Sequence, residues 1–245
     1  MTTLPLSAAP PEGMLEVEVW SDIACPWCYI GKRRFARAVG SFEHRDRVRV
    51  TWRSYQLSPG ARAGAPGSEL ELLARRKHLA LEQVREMFDH VAALAAEEGL
   101  AYDFAATRPA NTFDAHRLVH LATAQRPECA DEVVEALMSA HFEQGVAVDD
   151  RGALVAIATR LGLDGERVRA ALADEGLVGR ADGDAAAGAV RADLAAARAI
   201  GVTGVPFFVL DGRLGVSGAQ GTELFSQALV HAWSGLGGDH SSQFA

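Results

Sequence analysis

Cys25-Pro26-Trp27-Cys28 stands where an alternating segment gives way to a helical one, and no other feature constrains the chain as much. Leu15-Glu16-Val17-Glu18-Val19-Trp20 alternates apolar and polar side chains, the period of a β-strand. After Cys28, Ile30, Phe35 and Val39 form an apolar stripe of helical spacing, with Lys32, Arg33, Arg34 and Arg37 interspersed. Two thiols one helical turn apart can close into a disulfide. The first also lies near unpaired N–H groups at the positive end of the helix dipole, where thiolate is favoured over thiol. Thiolate is the form that attacks a disulfide. Pro26 suits the first helical position, because the N–H it lacks would have had no partner there. The spacing therefore points to thiol–disulfide exchange.

Composition narrows the setting. The chain has 245 residues, enough for one large domain or a domain with a sizeable insertion, and at 49% hydrophobic and 23% charged it has the composition of an ordinary soluble globular protein. The α/β class is read instead from the order of its elements. A net charge of −8 argues against general nucleic-acid affinity. No run of about 18 apolar residues is present, so no membrane span is expected. Met1–Gly13 lacks a basic start and an apolar stretch, so it does not read as a signal peptide, and a cytoplasmic location follows by default. In that compartment a close Cys pair is redox-active or metal-binding rather than a staple.

Residues 1–13 read as a disordered leader and 237–245 as a flexible tail. Between them a strand (14–20), a helix (26–40) and a second strand (48–57) make a β-α-β unit, whose strands would run parallel. A Pro/Gly-rich stretch, 58–67, is followed by helix after helix to about Gly183. The stripe Val84, Met87, Phe88, Val91, Leu94, Ala95 ends at Gly99, and Asn111 and Asp149 read as N-caps. A helix over 184–200, a buried strand over 205–210, an Asp211-Gly212 turn, a short strand near 214–217 and an amphipathic helix complete the chain. The expected domains are 14–57 with 184–236, packed as a four-stranded mixed sheet flanked by helices, and a helical insertion, 58–183.

Three segments in this order carry a resemblance: Ser21 to Gly31 around the Cys pair, Asn111-Thr112-Phe113-Asp114-Ala115-His116-Arg117-Leu118, and Gly201 to Phe208 with Ser217-Gly218-Ala219-Gln220. The chain resembles the DsbA-like, FrnE-type branch of the thioredoxin superfamily over about residues 14 to 236. The resemblance implies a thioredoxin fold with a helical insertion. It makes Cys25 the attacking thiolate and Cys28 the resolving thiol, and Pro206 a cis proline whose peptide with Val205 presents backbone to a substrate. Pro26 and Trp27 would flank the bound substrate, and the Asn111–Leu118 segment would face the site. No bound cofactor is required. The partners expected are a thiol or disulfide substrate and glutathione or a cellular dithiol reductant.

Rival readings remain open at this level. Glutathione-dependent isomerases of the 2-hydroxychromene-2-carboxylate type and kappa-like transferases share the inserted-helix plan but have serine where Cys25 stands. A non-catalytic binding protein whose thiols sense oxidation is a third possibility. A zinc site would need a second ligand pair; His116 and His120 stand one helical turn apart, without the glutamate of an H-E-x-x-H motif. Asp22 reads as a strand-end polar residue, or as a carboxylate that opposes thiolate formation or relays a proton. Asn111 is a cap or a substrate contact, Cys129 is a lone thiol, and Arg75-Arg76-Lys77 is a solvated helix face.

Overall fold

The computed structural model describes residues 13–173 and 181–236. The expected leader and tail fall almost entirely outside those residues. In chain order the elements are β1 (Leu15–Ser21), α1 (Pro26–Ser41), β2 (Val48–Ser54), α2 (Glu69–Lys77), α3 (Leu81–Glu97), α4 (Phe113–Gln125), α5 (Ala130–Phe142), α6 (Arg151–Arg160), α7 (Gly165–Ala173), α8 (Ala181–Ala199), β3 (Phe207–Leu210), β4 (Leu214–Ser217) and α9 (Thr222–Leu236).

The sheet order is β2-β1-β3-β4. β1 and β2 are parallel, with Leu15 opposite Val48 and Ser21 opposite Ser54. β1 and β3 are antiparallel, as are β3 and β4, giving the mixed four-stranded α/β sheet with helical insertion that the pattern predicts. Asp211 and Gly212 both take positive φ (53° and 65°), which closes the tight β3–β4 connection. Leu15, Val17 and Val19 alternate into one face, where Phe35 of α1, Phe208 of β3 and Phe225 of α9 pack ring to ring at 4.7 to 5.5 Å. The other face packs Trp20 against Ala197 of α8 and against Val202, and the indole N–H donates to the Asp193 carbonyl.

Several boundaries differ from the sequence reading, each for a local reason. β2 stops at Ser54 rather than 57, because the chain there turns inward. The Tyr55 carbonyl meets His116 at 2.9 Å, and the Leu57 N–H donates to Asp22 at 2.7 Å. β3 begins at Phe207 rather than 205: proline has no N–H to give a ladder, and the Val205 carbonyl faces Cys25 instead. The cap of α6 is Asp150, which accepts from the Ala153 N–H at 2.7 Å; Asp149 binds the Gly64 and Asn111 amides. Thr112 holds the N-cap position of α4, while the Asn111 side chain still accepts from the first helical amide, Phe113, at 3.0 Å. Asp114 sits one place earlier than a capping-box residue and pairs with Arg117 and Arg151. Arg75, Arg76 and Lys77 are exposed, as a solvated face requires.

Candidate active site

Cys25 is the N-cap of α1 and Pro26 its first helical residue. Between β1 and α1 a single tight turn delivers the sulfur: the Cys25 N–H donates to the Asp22 carbonyl at 3.1 Å, and the Cys28 N–H to the Cys25 carbonyl at 3.0 Å. Both thiols are reduced and buried, at 3% and 1% exposure, while Trp27 between them in the chain is 38% exposed. The Cys25 Sγ lies 3.6 Å from the Val205 carbonyl oxygen, across 180 residues of chain. The Val205–Pro206 peptide is cis. Gly31 makes this approach possible. A Cβ there would come within 2.9 Å of the Pro206 ring, so only glycine lets α1 lie this close.

Burial pushes the Cys28 thiol well up, and the neighbouring Cys25 thiol pushes it the same way. The polar groups of Ser21 and of the Asp22 backbone pull the other way without recovering the difference. The Asp22 side chain is buried beside them. Burial would raise its carboxyl, but the His116 ring at 3.5 Å, the Leu57 amide and the Thr112 hydroxyl outweigh that and hold it below the usual carboxylate range. Asp22 is therefore more than a polar strand end: it ties the turn before Cys25 both to the chain beyond β2 and to α4.

The insertion reaches the dithiol through a residue that carried no sequence signal. Tyr102, in the loop after α3, donates its hydroxyl to the Pro26 carbonyl at 2.7 Å and stacks on Tyr29 and Phe142. Burial raises the Tyr102 phenol, and the nearby Cys25 adds to the shift. Asn111 has a different setting. Its side chain donates to the Ala61 carbonyl at 2.7 Å and accepts from Gln56 at 3.2 Å and from Phe113, fastening the 56–61 loop to α4. His116 and His120 do not converge on one point. His116 meets Asp22, whereas His120 meets Asp193 at 2.9 Å and Ser54 at 3.1 Å. Cys129 is buried at the start of α5.

A strand that runs into a helix capped by a reduced dithiol, on a four-stranded mixed sheet with a helical insertion, defines a thioredoxin-fold protein of thiol–disulfide oxidoreductase type. The chain belongs to the DSBA-like thioredoxin domain family, whose model matches residues 16–230. It is similar to a probable DsbA oxidoreductase from Streptomyces coelicolor, at 42% identity over 94% of this chain and 93% of that one, with a TM-score of 0.82. Two more distant structures share the fold. One is the cytosolic disulfide reductase DsbM from Pseudomonas aeruginosa (19% identity, 90% and 96% covered, TM-score 0.53). The other is a 2-hydroxychromene-2-carboxylate isomerase (14% identity, 88% and 95% covered, TM-score 0.58). No curated protein sequence matches the chain. Among the described residues no helix is long and apolar enough to cross a membrane.

Proposed function

We propose that the protein is a dithiol–disulfide oxidoreductase working through Cys25 and Cys28, in a thioredoxin-like domain (14–57 and 184–236) interrupted by the helical insertion 58–183. The observation that carries this reading is the Cys25 sulfur at the cap of α1, 3.6 Å from the Val205 carbonyl and one turn from a second buried thiol. The Cys25 thiolate attacks one sulfur of a substrate disulfide, forming a mixed disulfide and expelling the other sulfur as thiolate. Cys28 then attacks Cys25, the Cys25–Cys28 bond forms, and the second substrate sulfur leaves. Two electrons pass from the dithiol to the substrate; oxidation of a substrate dithiol is the same path reversed. The Val205–Pro206 backbone and the exposed face of Trp27 border the place where the substrate sulfur must sit. No cofactor takes part.

The substrate is a thiol or disulfide, and a cellular thiol such as glutathione or a dithiol reductant restores the pair in a cytoplasmic setting. A solved DsbM structure bound to GSH has this fold (20% identity, TM-score 0.52), which is consistent with that choice. The test is insulin-disulfide reduction with dithiothreitol as the electron source. Cys25→Ser is expected to fall to the uncatalysed rate, while Cys28→Ser accumulates a mixed disulfide on Cys25. Equal turnover by Cys25→Ser and wild type would remove this reading. Glutathione binding by calorimetry that survives loss of both cysteines would favour an isomerase or kappa-like transferase.

A further inference from the structure

Gly31 leaves room for the Pro206 ring, but it has no side chain with which to hold that ring in place. One turn further along the same face of α1 stands Arg34. In the sequence it is one more basic residue on an amphipathic helix, yet its side chain is only 16% exposed. Its Nε donates to a Glu98 carboxylate oxygen at 2.7 Å, and its Nη1 donates to the Ala219 carbonyl at 2.9 Å. Glu98 is the C-cap of α3, within the insertion, and its side chain is buried. The second Glu98 oxygen accepts from the exposed Arg37 at 2.7 Å.

Ala219 belongs to the turn after β4, and that turn holds the Pro206 carbonyl, which accepts from the Gly218 N–H at 2.8 Å. The turn also closes on itself. The Gln220 N–H donates to the Gly218 carbonyl at 2.9 Å, and the Gln220 side chain to the Ser217 carbonyl at 2.7 Å. A chain of bonds thus runs from Glu98 through Arg34, Ala219 and Gly218 to Pro206. The carbonyl just before Pro206, that of Val205, lies 3.6 Å from the Cys25 sulfur. A guanidinium is planar, so seating its Nε on a buried carboxylate also fixes where its Nη1 points. Bonds with a charged partner are roughly twice as strong as neutral ones. Lysine cannot fill this place: it offers a single nitrogen, one bond short of where Nη1 reaches.

We propose that Arg34 is a positioning residue for substrate capture: paired with Glu98 and bonded to the Ala219 carbonyl, it holds the turn after β4, and through it the Val205–Pro206 backbone, opposite Cys25. This deepens the dithiol reading and rests on it. In the capture step the Cys25 thiolate bonds to one sulfur of the substrate disulfide, the substrate S–S bond breaks, and the other sulfur leaves as thiolate. Arg34 bonds to none of these atoms. It acts on the backbone against which a peptide substrate lies, so it governs how well a peptide is held and leaves the reactivity of the sulfur alone. Through Glu98, the insertion shares in setting that backbone.

The experiment uses Cys28→Ser protein, which stops at the mixed disulfide, alone and combined with Arg34→Lys or Arg37→Ala. Rates of adduct formation are measured with a disulfide-bonded peptide and with dipyridyl disulfide, which has no peptide backbone. Arg34→Lys is expected to slow capture of the peptide about 5- to 30-fold, while its reaction with dipyridyl disulfide stays within about threefold of the parent. Arg37→Ala breaks the other bond to Glu98 without touching Ala219, and is expected to leave both rates within about twofold of the parent. Peptide capture by Arg34→Lys at the parent rate would overturn the proposal. A parallel fall with both disulfides would overturn it too, since Arg34 would then act on the sulfur. Equal losses in Arg34→Lys and Arg37→Ala would reduce the cluster to ordinary stabilisation, as would an Arg34→Lys protein that fails to fold. If the Cys28→Ser parent traps neither disulfide, the dithiol function itself falls and Arg34 with it. A parent that traps the peptide, with Arg34→Lys equally fast, sinks Arg34 alone.

Discussion

His141, near the end of α5, has its ring set edge-on to Phe142 at 4.7 Å, and its Nδ1 is buried with no hydrogen-bond partner. Burial pushes its pKa down to about 4; the Asp22 and Asp149 carboxylates pull the other way without recovering the difference. The native state thus holds this ring neutral, while the unfolded chain binds a proton below about 6.5. The stability linked to it is complete above about pH 7 and is lost as pH falls from 6.5 toward 4. By pH 5 the loss is about 2 kcal/mol. Asp22, Asp193 and Glu135, with carboxyls held below their usual range, add their own loss only below about pH 4, where the unfolded carboxylates protonate. Glu16 and Glu69, raised by burial, act in the opposite sense. Comparison with a variant cancels all five. Urea midpoints at pH 7.5, 6 and 5 are expected to fall less steeply for His141→Leu than for wild type. Parallel curves would show that the ring is protonated in the fold.

At the scale of elements, the redox helix is fastened to the insertion by an ionic cluster that its sequence conceals. Lys32 reads as one more basic residue on an amphipathic helix, yet it is 6% exposed, lies 5.8 Å from the Trp52 ring centre and is 2.9 Å from both Asp131 and Glu135 of α5. Glu135 also takes Arg33 and the Tyr29 hydroxyl. Removing Glu135 leaves the Lys32 ammonium with Asp131 alone, and Asp131 is exposed. Glu135→Ala is expected to destabilise by about 1–3 kcal/mol in urea unfolding, and Lys32→Met with Glu135→Leu to recover most of that. If the double variant is no better than Glu135→Ala, packing rather than charge unites the helices. Local signals served well where they report local physics. The alternation of Leu15 to Trp20, the Asp211-Gly212 turn and the apolar stripe of α3, which buries Val84, Val91 and Ala95 but leaves Met87 exposed, each express one element's own physics. What joins elements across long stretches of chain has no such signature. Nothing near Tyr102 announces that its hydroxyl meets Pro26, nothing in Ala115-His116-Arg117 points to Asp22, and the sequence placed Asn111 at the start of α4, one residue before the Thr112 cap, without showing its hold on the 56–61 loop. Only the dithiol, two reactive side chains three residues apart, could be read without the fold.

The whole molecule buries its apolar residues in a cluster that does not respect the expected domain boundary. Leu15, Val17 and Ile30 beneath the sheet belong to the same connected core as Leu118 of α4, Leu137 of α5 and Leu154 of α6. Polar links cross the same divide: Asp22 to His116, Tyr102 to Pro26, Ser54 and Asp193 to His120. An insertion held this way has too few surfaces of its own to stay folded once the sheet is lost. Unfolding is therefore expected to be a single cooperative event. The chain offers a clean measurement, because all four tryptophans, Trp20, Trp27, Trp52 and Trp233, lie outside residues 58–183, whereas that segment holds α2 to α7 and most of the helical ellipticity. In the reduced protein, tryptophan fluorescence and far-ultraviolet circular dichroism should trace coincident urea transitions. A dichroism curve that lags the fluorescence would reveal an insertion folding by itself. In that case Tyr102 and Asp22 would be contacts between two bodies, and the surroundings of the dithiol would change whenever those bodies part.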